Sequence, residues 1–206
     1  MNRRQFCGHL TTGGLVLATG GTIFVLEGCT SSTVFSDILN WVPVGEDALN
    51  GIIKLLTGAG AVNPAAAAIV VTTEAAFSQL EADIKIYQSI TPPPSGVEQE
   101  ITDGLGILVS NFQAFLSAIN VSDSTLLTTI AGLVEVVLST VAGFEALLPA
   151  AVAAKLANRN FRIGSRNYTY TAQHRTKRSF KRAYNSVAKA GGHPEIEIPL
   201  TLLEHF

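Results

Sequence analysis

Across residues 36–148, apolar side chains recur at intervals of three and four, the spacing that lines one side of an α-helix. Ile38, Leu39, Trp41 and Val42 form a short apolar cluster after Ser36, and Pro43 is expected to end that helix. Leu49, Ile52, Ile53 and Leu56 share a face in a second helix from about Glu46 to Thr57, stopped by Gly58 and Gly60. In the third, Asn63 suits a cap and Pro64 the first helical position. Its seam, Val70, Thr73, Phe77, Leu80, Ile84 and Tyr87, alternates steps of three and four, as in packed helices, until "TPPPSG" interrupts it. A fourth helix carries Val97, Ile101, Leu105, Leu108, Phe112, Phe115 and Ile119 on the same rhythm. Ser122 or Asp123 caps a fifth, from Ser124 to about Leu148, which is apolar on nearly every side. Only Thr128, Gly132, Glu135, Ser139 and Ala142 make a thin small or polar stripe along it. Such a helix belongs at the centre of a bundle or in a membrane. Glu135 and Glu145 favour the bundle, because a central acid costs a membrane span roughly 2.5–3.5 kcal/mol.

The period changes after residue 155. Phe161 and Ile163, a Gly164-Ser165 break, then alternating Tyr168, Thr169, Tyr170 and Thr171 predict a hairpin. A basic helix is expected from Ala172 to Ala190, with Phe180, Tyr184 and Val187 on one face. Ile196 and Ile198 alternate with Glu195 and Glu197, which predicts a closing strand. The fold class expected is therefore mainly α. An antiparallel helical bundle at 29–154 is followed by a small basic α+β module at 155–206, and residues 1–28 stand apart.

Charge sharpens that division. The 206 residues carry a formal net charge of only −2. Residues 29–154 hold twelve Asp and Glu against Lys54 and Lys85, whereas residues 155–206 hold ten Lys and Arg against Glu195, Glu197 and Glu204. An asymmetry of this size suggests an electrostatic partner for one half.

Residues 1–28 read as an address. Arg3 and Arg4 precede a charge-free, Gly-rich run from Leu10 to Leu26, which is shorter than the roughly 20 residues of a bilayer span. Arg3-Arg4-Gln5-Phe6 resembles the core of a twin-arginine export signal, and Leu26-Glu27-Gly28-Cys29 resembles a bacterial lipobox. The resemblance covers the first 29 residues and rests on Arg3, Arg4, Phe6 and Cys29. It implies cleavage before Cys29, lipid on the Cys29 sulfur and on the new amino end, and anchoring in the bacterial cell envelope. Thr30 after the cysteine suggests the outer membrane, on its periplasmic side. The two cysteines are Cys7 and Cys29, so a processed chain has no disulfide. A Cys7–Cys29 bridge would require the signal to stay and fold.

Candidate chemistry is sparse. There is no Gly-rich phosphate loop, nucleophile elbow or paired-His zinc motif in the sequence. His193, Glu195, Glu197, Glu204 and His205 are the nearest approach to a metal set, and a solvated strand face is the preferred reading of them. No catalytic residue, metal or cofactor is assigned. The informative feature is the basic helix: Arg175, Lys177, Arg178, Lys181 and Arg182 are candidates to bind an anion, whether an anionic lipid or an envelope polymer. Tyr168, Tyr170, Phe180 and Tyr184 are able in principle to stack bases, but an exported lipoprotein rarely meets nucleic acid.

The expectation is a non-catalytic, structural or adaptor-type envelope lipoprotein. It would be held to the membrane by its lipid, with the basic module touching an anionic partner or its own acidic bundle. Two alternatives are a membrane-active protein, whose fourth and fifth helices insert as a hairpin, and an envelope enzyme with an unrecognised site.

Overall fold

A computed structural model of the chain describes residues 31–148, 159–163 and 166–200. The export-signal motifs, Cys29, Glu204 and His205 lie outside the described residues. Helices α1 (Ser31–Gly58), α2 (Pro64–Ser89), α3 (Val97–Ala118) and α4 (Ser124–Glu145) are followed by strands β1 (Arg159–Ile163) and β2 (Arg166–Tyr170), helix α5 (Lys177–Ala190) and a 3-10 turn (Pro194–Ile196). The molecule is mainly helical, with one small antiparallel hairpin near its C-terminus.

α2 and α3 form an antiparallel pair pinned at both ends. The Asn63 side chain accepts a hydrogen bond from Ala66 N at 2.8 Å and donates to Ala118 O, the last residue of α3, at 2.6 Å. One side chain thus satisfies groups at two helix termini that would otherwise be orphaned. At the other end, Tyr87 Oη donates to Glu98 at 3.1 Å. Between them the seams meet as their spacing predicts: Thr73, Phe77, Leu80 and Ile84 are buried, as are Ile101, Leu105, Leu108, Phe112 and Phe115. α4 runs through the centre, capped by Asp123, with every residue from Val136 to Glu145 buried.

One expectation is corrected at Pro43. It does not end a helix; α1 continues through it for 28 residues. Proline removes the N–H that would reach the Leu39 carbonyl, a loss that usually costs about 3 kcal/mol. Packing outweighs it here, because Phe35, Ile38, Trp41 and Val42 before the proline, and Val44, Ala48, Leu49 and Ile52 after it, are all buried in one core. Pro43 itself is exposed, so its ring clashes with no neighbour in the core. The predicted short helix and the second helix are a single element.

The chain returns to that same core after residue 159. The ring of Trp41 meets Phe77, Phe144 and Phe180 at centroid distances of 5.7, 5.6 and 5.7 Å, joining α1, α2, α4 and α5. The hairpin forms in the expected place, with Phe161 opposite Tyr168 and Ile163 opposite Arg166. The basic helix starts later than its composition suggests. Thr176 caps it, and the preceding residues run extended along α4, with Gln173 N donating to Ser139 O at 2.8 Å. The closing segment is not a strand. It makes one 3-10 turn, and then its backbone is clipped by Asn185, which accepts from Ile198 N at 2.7 Å and donates to Ile198 O at 2.8 Å.

Candidate functional site

The small-residue stripe of α4 is a seat for the C-terminal arm. Val187 covers Gly132, Thr129 lies against Gly191, and the Gln173–His174 backbone passes directly over Gly143. Gly51 of α1 lets Tyr184 approach so closely that a Cβ there would lie 2.5 Å from its hydroxyl. That hydroxyl donates to Ala48 O at 2.9 Å, and burial raises its pKa, with Asp47 adding a smaller push in the same direction. Ser139, expected on a polar stripe, is buried and bonded to Arg175. Thr128 and Glu135 alone of the expected stripe are exposed.

Docking sorts the five anion-binding candidates into two groups. Arg175 turns onto α4, donating to Ser139 Oγ, to Thr140 Oγ1 at 3.2 Å and to Val136 O at 3.4 Å. Its desolvation lowers its pKa, and Glu135 partly offsets this. Lys181 is buried and donates to Pro199 O at 2.8 Å. Both side chains, like that of Arg182, have interactions within the chain. Lys177 and Arg182 are exposed, and Arg178 is half-buried, with an Nε that has no hydrogen-bond partner among the described residues.

The structure adds Lys189 to this outer group. Arg178, Arg182 and Lys189 are separated by four and seven residues, so they fall within about 40° of one another around the helix and extend along roughly 16 Å of it. The opposite face, Phe180, Tyr184 and Ala188, is buried. The spacing carried this signal in the sequence, but composition alone did not separate the outward cations from Lys181.

The aromatic residues do not form a base-stacking platform. Phe180 and Tyr184 are fully buried, Tyr170 is buried, and Tyr168 stacks on Phe161 at 5.1 Å. Nor do His193, Glu195 and Glu197 share a strand face, since the 3-10 turn redirects them. His193 Nδ1 instead meets Glu195 Oε1 at 3.0 Å. A hydrogen bond from its own backbone N–H and then this contact hold the Glu195 carboxyl below its ordinary pKa. No group of three or more His, Cys, Asp or Glu residues placed to hold a metal occurs among the described residues.

No protein family, curated protein or solved structure matches this chain.

A concave feature lies at the end of the bundle where α1 finishes and α4 begins. It is an open groove of 680 Å³, lined by Lys54, Leu55, Ala59, Leu126, His193 and Ile196 among others. Lys54 Nζ donates to Glu195 O across it at 3.4 Å. Sequence patterning marks His193 and Glu195 as a metal-set candidate and Asp123 as a helix cap, but does not single out Lys54, which comes to the groove from a distant segment.

α4 is long and apolar enough to cross a membrane. Here those apolar side chains are already covered by α1, α3 and α5.

Proposed function

We propose that the protein is an exported, lipid-anchored cell-envelope protein without catalytic activity, whose C-terminal helix lays its line of cations against an anionic membrane surface. The observation that carries this reading is the outward line Arg178–Arg182–Lys189 on a helix that contains no acidic residue. Such a line has a local cost. Arg178 and Arg182 are like charges four residues apart, worth about 0.2–0.5 kcal/mol of repulsion. Lys177 and Arg178 also oppose the positive N-terminal end of the helix dipole. An anionic surface relieves both costs.

The lipobox-like Cys29 supports the same reading, since an acyl anchor would keep the body at a membrane. Each cation near an anionic leaflet contributes about 1 kcal/mol, so the line adds orientation and affinity to an anchor rather than replacing one. Insertion of α3 and α4 as a hairpin finds less support, because it would dismantle the core around Phe144 and Trp41.

The test is sedimentation of residues 29–206, without lipid, with vesicles containing phosphatidylglycerol. Binding should weaken steeply between 50 and 300 mM salt, because screening acts within about 10 Å at 0.1 M. Replacing Arg178, Arg182 and Lys189 by Gln should cost about 3 kcal/mol of binding. Salt-independent binding, or full binding by the triple variant, would contradict the proposal.

A further inference from the structure

The groove between the end of α1, the start of α4 and the 3-10 turn is separate from the cation line and has its own chemistry. Its floor is apolar, formed by Leu55, Leu126 and Ile196. Its rim holds four ionisable groups, each with a counterpart already in place. Glu195 faces His193 at 3.0 Å and is drawn toward Lys54. Lys54 also bonds to the Glu195 carbonyl. Asp123 accepts from Leu126 N at 2.7 Å and complements the positive end of the 22-residue helix α4. A charged ligand would have to break one of these pairings or sit beside a like charge. The His193 Nδ1 contact with Glu195 orients the ring, so that Nε2 remains as a hydrogen-bonding group for an incoming molecule.

We propose that this groove binds an uncharged amphiphile, an alkyl chain ended by a hydroxyl or amide group, with the chain on Leu55, Leu126 and Ile196 and the head at His193. The volume lies within the range of about 300–1,000 Å³ typical of small-molecule sites, and an apolar floor with few polar groups is their usual composition. Neutrality of the ligand follows from the closed pairing of the rim. Recognition of the head follows from the single oriented imidazole.

The test uses the chain from Cys29 onward, which contains every described residue. The uncharged dye N-phenyl-1-naphthylamine reports occupancy by fluorescence, and 1-decanol, decanoate and decylammonium compete for it. Decanol should displace the dye at about tenfold lower concentration than either ion, the difference expected for about 1.4 kcal/mol of unfavourable charge placement. Ala59 is exposed and lines the groove, so Ala59→Trp should fill it and abolish dye binding without lowering the melting temperature. Gly58→Leu at the same edge is the second variant, since a Cβ there meets no atom within 4 Å. His193→Ala should weaken decanol about fivefold while the dye's own affinity stays within about twofold, the effect of losing one hydrogen bond. Val71 is an exposed apolar residue on α2, away from the groove, and Val71→Ser should change nothing. Equal displacement by all three headgroups would overturn the proposal. So would dye binding that survives both groove-filling variants, unchanged decanol affinity in His193→Ala, or loss of dye binding in Val71→Ser.

Discussion

Two glycines in long helices separate residue-level packing from helix propensity. A Cβ on Gly143 would collide with the Gln173 carbonyl and the His174 nitrogen, which are backbone atoms and cannot swing aside. Gly143→Ala should therefore destabilise residues 29–206 by about 1–3 kcal/mol, the usual cost of overpacking. Gly106 in α3 meets nothing within 4 Å, so Gly106→Ala should gain about 0.5–1 kcal/mol from helix propensity alone. Urea melts of both variants check the pair, and equal effects would remove the case for a tightly seated arm. Glu46 gives a pH-dependent counterpart. Burial, then Glu81, Asp47 and Glu74, raise its pKa above the ordinary value. An acid with a raised folded pKa stabilises the fold when protonated and loses that contribution as pH rises through the folded value. Glu46→Gln should thus raise stability at pH 7 by at most about 0.5 kcal/mol, because the group is only partly buried and solvent screens it. The gain should vanish below about pH 4, where the carboxylate is protonated in both states. Melting at pH 3.5 and pH 7 measures it.

Elements were legible where a single periodicity governed them. The α2 and α3 seams could be read directly, because Phe77, Leu80 and Ile84, and Leu105, Leu108 and Phe112, are buried at one regular spacing along each helix. α1 was read as two helices because Pro43 is a strong local signal, whereas the buried residues on both sides of it act only once the core exists. Since Pro43 is exposed, Pro43→Ala should restore the missing donor to Leu39 O and raise stability by about 1–3 kcal/mol. A loss of stability in calorimetry would mean that the proline's bend is needed for packing. The α4 stripe was misread for a related reason. Gly132 and Ser139 look solvent-facing by composition, but small side chains also make room for another segment, and Val187 and Gln173 occupy that room.

At the scale of the whole molecule, the change in composition near residue 155 does not coincide with a division of the hydrophobic core. The candidate anion site was legible as a basic helix, but its working subset was not. Whether Lys181 points out or in depends on Pro199, a residue 18 positions away whose placement no local pattern reveals. The same long-range packing decides stability. Residues 29–154 alone would expose the faces of Trp41 and Phe144 that Phe180 and His174 cover, and would lose Tyr184 from the Ala48–Gly51 surface. Removing even one buried aromatic residue costs about 3–5 kcal/mol, against a total stability of about 5–15 kcal/mol for a domain. Loss of the whole arm should exceed that margin. The decisive measurement is thermal unfolding of residues 29–154 beside residues 29–206, followed by near- and far-ultraviolet circular dichroism. The longer chain should melt in one cooperative transition, while the shorter one should keep some helix but show no sharp melt and no fixed tryptophan signal. A fragment 29–154 that melts cooperatively, with the near-ultraviolet spectrum of the full chain, would contradict a core completed by the basic arm.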